Sequence, residues 1–574
     1  MAEYTNYWLR RRVSRRTVVR GAGVAGVGGA AYGLVGCGDD DSTPATAAPT
    51  QGLLATAQAS PTPAKQPKPG GSFSFQIAGN PPSLDPYTNA SYLNMYMGGL
   101  SYSRLLRYKA GTPEITPTDP SMEPELAQTM PEQPDASGLQ WTFKLKPNIK
   151  FHNGRALTSE DVKYALDRYS TYDKSSHRAL YFWLDSVTTP DAQTVVLKTK
   201  APYADLNQVI GGEYGAYISP KEHAESDAAP TKMLGSGPFI HTDFQTGASL
   251  SFKKNPDYFE KPWPYFDEVK VFIIGDQTKR VADFTARQQN LTWLTLPDER
   301  DQLKKARPDA QFGEQQGIGQ NLYMRSDKPP FRDPKMRQAV SMAIDRKAVR
   351  DAITKGEGVP DQVMFVGYAG WARQVKDLGA NAKFWDYNPA ESKKLIDAAG
   401  YKGEEIEYVH VAEANIYTQA YLDTDSLTIA NLKAVGLNIK ENAMPYAQYI
   451  AAGTGVYYGG QYKDMGHTPR AVPYLVDHVT DKMSFKDGKR ARINHSYIND
   501  PALEALLDKQ RSQFVKQERQ ATIKQIEDMA AENQWEVFFS TDTRTYFWDK
   551  EVQNYRDSAF FPYTHVMKAW FDKA

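Results

Sequence analysis

Cysteine is almost absent from this sequence, which has a single one, Cys37, in 574 residues. One cysteine can form neither an intramolecular disulfide nor a cysteine metal cage. Net charge is absent too, because 68 basic residues balance 68 acidic ones. The first 36 residues contain six arginines and one acid, so 62 basic and 67 acidic residues follow, a net charge of −5. This balance argues against a nucleic-acid partner, which needs a concentrated basic face.

Motifs of catalysis are also missing. The sequence has no G-x-S-x-G elbow, no H-E-x-x-H, no Cys–His pair and no Walker lysine. Its nine histidines are scattered singly, and the D-x-D at Asp423 and Asp425 lacks the glycine and glutamate of an EF-hand. We therefore predict no enzyme, no cofactor and no metal site. The two catalytic carboxylates of a glycosidase come together in the fold and form no motif in the sequence. A lipid-anchored extracellular hydrolase therefore stays as the alternative from another functional class.

A long apolar run is lacking, and the apolar stretch that ends at Val35 is short and rich in glycine. An arginine-rich leader precedes it, and the Arg15-Arg16 pair resembles a twin-arginine export signal. Leu34-Val35-Gly36-Cys37 resembles a lipobox, which implies a diacylated Cys37 that anchors the protein to membrane lipid. The predictions are a signal peptide at 1–36 and a flexible Ala/Thr/Pro-rich linker at 37–70.

The leader also contains a G-x-G-x-x-G sequence, at residues 21–26. A dinucleotide site needs a strand before this motif and a helix after it. Here an arginine-rich leader precedes the motif and a Pro/Thr/Ala-rich segment follows it, so we reject a bound cofactor.

The most informative stretch is Trp141–Arg168, WTFKLKPNIKFHNGRALTSEDVKYALDR. Its first residues alternate apolar and polar side chains, which predicts a half-buried strand. Asn153-Gly154 is a turn signal, and Thr158 with Asp161 imitates a capping box at the start of a helix. This run resembles the "tFkLrdgvkFhdGtplTaeDVvysleR" signature of the family 5 extracellular solute-binding proteins of ATP-binding-cassette (ABC) importers.

Further blocks resemble the same family in the same order. They are Ser83–Pro86 before a helix-like run over Tyr92–Arg107, then Met122–Ala127, Gly235–Phe239, Ser251–Phe259, Pro329–Arg346 and Tyr387–Tyr401. Asp333 and Pro334 are typical of a helix N-cap and first turn. The Gly235–Phe239 turn lacks the lysine and following helix of a phosphate loop.

The resemblance implies an α/β fold of the two-lobed periplasmic-binding-protein type (class C, type II-like) with an accessory domain. The implied domains are lobe I at 71–113, 232–325 and 535–574, accessory lobe II at 114–231 and lobe III at 326–534. It also implies an extracytoplasmic monomer, lipid-anchored at the cell membrane, that closes on a small solute and delivers it to an ABC permease. A di- or oligopeptide is the favoured solute, with an oligosaccharide, an opine or a metal chelate as alternatives.

Ligand contacts are implied at two places. In peptide-binding members of the family, the residues that follow the Leu84-Asp85-Pro86 element contact the ligand. The corresponding residues here are Ala90, Ser91 and Tyr92. The family's third-lobe segment "ydl...gW.aDy.dp" corresponds to Gly455–Thr468. The tryptophan is absent there, so peptide specificity is open. The candidates in this segment are Tyr457, Tyr458, Gln461, Tyr462, Asp464, which would pair with a peptide's amino terminus, and His467. Trp371, in the separate glycine-rich stretch 367–371, is a further candidate.

Overall fold

A computed structural model of the chain describes residues 66–88, 91–109, 121–131, 135, 137–212, 216–316, 319–368, 370–412, 419–445, 448–449, 462–469, 477–486, 489–491, 494–556 and 564–572. The predicted signal peptide, with Arg15 and Arg16, and the predicted lipidation site Cys37 lie outside them.

The described strands follow the chain as β1 Ser72–Ile77, β2 Leu106–Tyr108, β3 Met122–Pro124, β4 Gln140–Lys144, β5 Leu184–Asp191, β6 Thr194–Thr199, β7 Phe239–Gln245, β8 Ser249–Lys254, β9 Glu268–Ile273, β10 Leu291–Leu294, β11 Gln311–Gln316, β12 Gln320–Met324, β13 Ile406–Val411, β14 Ile439–Met444, β15 Met465–Pro469, β16 Phe485–Lys486, β17 Lys489–Arg490, β18 Glu536–Phe538, β19 Thr543–Trp548, β20 Val552–Gln553 and β21 Trp570–Phe571.

The described α-helices are α1 Tyr92–Ser101, α2 Ser159–Thr171, α3 Leu206–Gly211, α4 Lys221–Ala224, α5 Gln277–Thr285, α6 Pro297–Ala306, α7 Pro334–Ala343, α8 Arg346–Thr354, α9 Pro389–Ala398, α10 Gln419–Ala434, α11 His478–Met483, α12 Pro501–Arg511 and α13 Lys516–Asn533. Short 3-10 helices lie at Arg178–Tyr181, Val375–Asp377, Gly379–Trp385 and Thr564–Lys568.

Local sequence signals of the signature stretch are confirmed. Strand β4 buries Trp141 and Phe143 and exposes the polar residues between them, as the alternation predicts. Helix α2 begins with a capping box in which Thr158 and Asp161 each satisfy a backbone N–H of the other. The hairpin β5–β6 and β4 form an antiparallel sheet in the order β4-β6-β5.

Helix α1 is shorter than its apolar spacing predicts, because it ends at Ser101 and not at Arg107. Beyond it, Leu106–Tyr108 pairs with Met122–Pro124 as an antiparallel ladder. The buried Arg104 donates both its backbone N–H and its Nε–H to Glu125. Strand pairing and this ion pair therefore override the local helical pattern.

Three further sheets, of four, three and five strands, organise the remaining chain. One has the order β1-β9-β8-β7, with β1 and β9 parallel. The second has the order β10-β19-β11 and is antiparallel throughout. The third, with the order β14-β13-β15-β12-β18, is mixed: β13 runs parallel to β14 and β15, whereas β12 runs antiparallel to its neighbours β15 and β18.

The second and third sheets share two chain crossings. Strand β11 ends the second sheet at Gln316, and β12 begins the third at Gln320. More than two hundred residues later, β18 completes the edge of the third sheet and β19 returns to the centre of the second. The segment between these last two strands, residues 539–542, thus lies beside the start of β12.

Buried apolar side chains form several clusters. One joins the first sheet to the C-terminal strands and includes Phe73, Tyr258 and Phe571. Another underlies the third sheet, and the largest combines residues 87–224 with side chains from α12 and α13 such as Leu507. The segment predicted as accessory lobe II therefore shares its core with helices predicted to belong to lobe III. The lobe boundaries stay a prediction.

Candidate functional site

A cavity of about 40 Å³ lies where the chain passes between the second and third sheets. At 10–15 Å³ for each water-sized occupant, it has room for about three such groups. Its lining comes from the end of β10, the start of β12, helices α8 and α10, and the segment between β18 and β19. These residues are Thr295, Leu296, Gln320, Arg346, Val349, Arg350, Ile353, Thr354, Ala420, Tyr421, Thr424, Phe539, Ser540, Thr541 and Asp542.

Strand direction makes this edge of the third sheet suitable for binding. Strands β13, β14, β15 and β18 all run the same way, because β12 is antiparallel to β15 and to β18. Pro469 pairs with Gln320, so the carboxyl end of β15 lies at the cavity. Ligands of open α/β sheets bind beyond the carboxyl ends of the strands. The cavity occupies that position.

Arg346, at the start of α8, fixes the wall of the cavity. Its Nε donates to the carbonyl oxygen of Phe538 at 2.7 Å, and its other nitrogens donate to the carbonyl and hydroxyl of Ser341. Burial away from water lowers the pKa of its guanidinium to about 9. Because these nitrogens are bonded to the protein, Arg346 ties α8 to the end of β18.

Asp542 is the acid that lines the cavity. Its Oδ1 is shielded from solvent and has no hydrogen-bond partner in the described protein. Burial raises the pKa of its carboxyl to about 6, although Arg544 and Arg300 act in the opposite direction. Two other residues of the lining also have a buried side-chain atom without a partner among the described residues, Gln320 Oε1 and Arg350 Nε.

A buried polar cluster lies behind the cavity wall. The carboxylate of Asp425, on α10, is 2.7 Å from His467 Nδ1 and 3.3 Å from His410 Nδ1, and it accepts the hydroxyl of Tyr408 at 2.8 Å. Burial opposes ionisation of Asp425, but the two histidines prevail and lower its pKa to about 2. Burial likewise opposes protonation of His410, whereas Asp425 and Glu441 raise its pKa to about 9.

His467, predicted as a ligand contact, lies inside strand β15 with 3% of its surface exposed. Its ring lies 5.3 Å from that of Phe539 and 6.3 Å from that of Tyr421, both of which line the cavity. Asp425 fixes Nδ1 as the donor, and Nε2 has no partner in the described protein. His467 is thus one layer behind the cavity.

Asp464 and Tyr462 lie at the other end of the third sheet. Asp464 precedes β15, whose five residues at about 3.3 Å each place it about 17 Å from the cavity edge. Its carboxylate accepts the backbone N–H of Glu407 at 2.9 Å and has two lysines at 3.8 Å. Tyr462 is buried, with its ring 4.9 Å from that of Tyr323 and its hydroxyl on the carbonyl of His495.

Ser91 and Trp371 are not among the described residues that line the cavity. Ser91 caps α1 by accepting the backbone N–H of Leu93, and Tyr92 is the first residue of that helix. Trp371 is half-buried, with the cations of Lys516 and Arg519 at 5.5 and 5.6 Å from its ring. Four further candidates lie outside the described residues: Ala90, Tyr457, Tyr458 and Gln461.

Sequence reasoning missed Gln320, Arg350 and Asp542. They are separated by up to 222 positions and belong to no motif, so only the chain crossings bring them together. Within the described ranges, no group of three or more His, Cys, Asp or Glu could hold a metal ion. The same ranges contain no helix with the length and apolar character needed to cross a membrane.

Residues 121–482 match the family model of the bacterial extracellular solute-binding proteins, family 5 middle region. Because this match covers more than half of the chain, the protein belongs to that family.

Two curated relatives illustrate the likeness in sequence. Heme-binding protein A of Haemophilus influenzae is 26% identical over 327 residues, which cover 52% of this chain and 56% of that protein. The probable D,D-dipeptide-binding periplasmic protein DdpA of Escherichia coli K12 is 28% identical over 323 residues, or 54% of this chain and 61% of that protein. The chain thus matches somewhat more than half of the length of these relatives.

A solved structure shows the likeness in fold. The periplasmic binding protein AgaA from A. tumefaciens R10, in complex with agropinic acid, superposes with a TM-score of 0.75 at 23% identity, covering 88% of this chain and 99% of that one. The predicted α/β periplasmic-binding-protein fold of type II is therefore confirmed.

Proposed function

We propose that this family 5 protein is the solute-binding component of an ABC importer, which captures a small solute and hands it to a membrane permease. The observation that carries the proposal is the position of the cavity at both crossings between two sheets. A rotation about those crossings changes the cavity wall directly, so a solute bound there is coupled to closure. Closure then follows from tighter binding to the closed form.

A di- or oligopeptide is the favoured solute. The name of the E. coli relative specifies a D,D-dipeptide. The family that the signature stretch resembles includes the binding proteins of peptide importers. An opine is the second candidate, because the AgaA structure contains agropinic acid. Heme is named for the H. influenzae relative. The cavity alone, at about 40 Å³, has room for about three water-sized groups of such a solute and not for a whole molecule.

Native mass spectrometry of protein purified without refolding tests this function. We expect a bound species that leaves on denaturation, and a melting temperature that rises with added solute as RT ln(1 + [L]/Kd) requires. Peptides incubated with the protein should be recovered intact, since the proposed role is binding without turnover. Cleaved peptides would favour the lipid-anchored hydrolase instead.

Export and anchoring are the cellular part of the proposal. Arg15-Arg16 would direct export, and an acylated Cys37 would hold the mature protein at the outer face of the membrane as a monomer. We expect Cys37→Ser to release the protein from the membrane fraction and Arg15→Lys with Arg16→Lys to retain the precursor in the cytoplasm. Mass analysis of the mature amino terminus provides the direct measurement.

A further inference from the structure

Two chain crossings divide the described residues into two parts. The first part, residues 66–316 and 543–572, contains the sheets β1-β9-β8-β7 and β10-β19-β11. The second part, residues 320–538, contains the sheet β14-β13-β15-β12-β18. The chain has a single cysteine, so no disulfide can join the two parts. Their contacts away from the crossings are therefore non-covalent and can separate when the parts rotate.

Residues 121–231 are fixed to the sheets of the first part. Arg107, which precedes this segment, forms ion pairs with Glu123 inside it and with Glu260, which follows β8. Lys146 forms another ion pair with Glu260 at 2.8 Å. The segment is thus held in the first part by these pairs and by the chain at both of its ends.

The same segment meets the second part along a seam of buried charge. This seam joins residues 203–205 to Asp477 and to residues 510–519. Arg519 donates to both carboxylate oxygens of Asp205, at 2.5 and 2.8 Å. The backbone N–H of Asp477 donates to the same carboxylate at 2.5 Å. The carboxylate of the first part is therefore bonded entirely by groups of the second part at this seam.

A second carboxylate continues the seam. The side chain of Asp477 accepts the Nε–H of Arg511 at 2.9 Å and the hydroxyl of Tyr203 at 3.3 Å. The first part thus contributes one negative charge, on Asp205, and the second part contributes two guanidinium groups and one carboxylate. Because the second part carries the net positive charge, the seam attracts the two parts to each other.

Charges at its centre allow the seam to open again. The side chains of Asp205 and Asp477 are only 1% and 4% exposed. Separated ions regain their hydration, which offsets most of the attraction lost when such a pair opens. Apolar packing has no such compensation and supplies the net adhesion. At the rim, the rings of Trp141 and Phe514 lie 6.0 Å apart, one from each part.

We propose that the seam is a latch, which holds the two parts closed in the absence of solute and releases when they rotate apart about the crossings. Closure is then the resting state, and solute enters only during the fraction of time that the latch is open. The inference uses the rotation on which the proposed solute-binding function depends, but it requires no solute.

Pulsed electron paramagnetic resonance between two spin labels measures opening without a solute. Ser186→Cys in β5 and Ala505→Cys in α12 place one label on each part, at exposed positions. The background is Cys37→Ser, which removes the one native cysteine. This protein should show one short separation. Asp205→Asn should add a second, longer separation and raise the ratio of open to closed molecules at least about tenfold, because an unpaired Arg519 penalises the closed form.

Two further variants isolate the role of charge. Asp205→Leu combined with Arg519→Leu should keep the single short separation, since an apolar pair holds the seam without buried ions. Asp351→Asn breaks an exposed ion pair with Lys347 outside the seam and should also leave the separation unchanged. Far-ultraviolet circular dichroism of each labelled sample confirms that the protein is folded.

Three results would overturn the latch: an unchanged separation in folded Asp205→Asn, a protein that is already open without it, or equal opening of the leucine pair. If Asp205→Asn does not fold, Arg511→Gln is the test, because this partner of Asp477 is 17% exposed and its loss is milder. It should also add the longer separation, and an unchanged separation there would overturn the latch. None of these results bears on solute binding, which the co-purified species tests separately.

Discussion

The buried ion pair between Asp205 and Arg519 offers a sharp test of how the chain is held together. The two residues lie 314 positions apart and have 1% and 4% of their surface exposed. Arg519 donates two hydrogen bonds to the carboxylate, at 2.5 and 2.8 Å, and two more to Gln510 Oε1. The pair joins the segment before α3 to helix α13.

Asp205→Asn should be strongly destabilising, because it leaves the guanidinium of Arg519 buried without its counter-charge. Removing one partner of a buried pair costs about 3–5 kcal/mol. The loss should be at the lower end, about 3 kcal/mol. Burial raises the pKa of the neighbouring Asp477, and repulsion from Asp205 raises it further, so the variant relieves that repulsion. The ratio of folded to unfolded protein would thereby fall by more than a hundredfold.

Urea unfolding followed by tryptophan fluorescence measures the effect. The matched control is Asp351→Asn, which breaks an exposed pair with Lys347 and should cost at most about 0.5 kcal/mol. Asp205→Leu combined with Arg519→Leu should recover most of the loss, because an apolar pair leaves no buried charge. A cost below about 1 kcal/mol for Asp205→Asn would refute the assignment of this pair as a buried contact.

Three further predictions concern stability. Burial lowers the pKa of His152 and of His241 to about 4, so the unfolded state binds more protons than the folded state between about pH 6.5 and 4. The free energy of unfolding should therefore fall by about 2 kcal/mol for each histidine between about pH 7 and 4.5. His152→Gln should make the free energy of unfolding, measured in urea, depend less on pH. Gly237→Ala should cost about 1–3 kcal/mol in urea unfolding, since its Cβ would lie 2.6 Å from backbone at the end of α1, whereas Gly79→Ala, with 3.7 Å to the nearest side chain, should cost less. Asp161→Ala should lower the melting temperature by the equivalent of about 1–2 kcal/mol, because it removes the capping box of α2 and an ion pair; an unchanged melting temperature would contradict the capping role.

The sequence predicted those parts of the fold that depend on neighbouring residues. The alternation of Trp141 and Phe143, the capping box of α2 and the Asp333-Pro334 start of α7 all depend on side chains within a few positions. The helix that ends at Ser101 shows the limit, because pairing with a distant strand decided its length.

The candidate site was much less predictable. His467 is buried in a strand because its ring bonds to Asp425, 42 positions earlier, a contact with no local signal. Asp542 resembles any acid near a strand until the chain crossing brings the residue to the lining of a cavity. Whether a carboxylate has a partner depends on three-dimensional packing, and residue spacing carries no information about it.

The late return of the chain has a consequence for biosynthesis. Strand β19 is the central strand of β10-β19-β11, and β18 forms one edge of the mixed sheet, yet both follow β11 and β12 by more than two hundred residues. A ribosome-bound polypeptide therefore lacks the strand that joins β10 to β11 until all of the intervening chain has been translated. Nascent chains arrested before residue 536 should remain protease-sensitive in both sheets and depend on chaperones until β18 and β19 emerge.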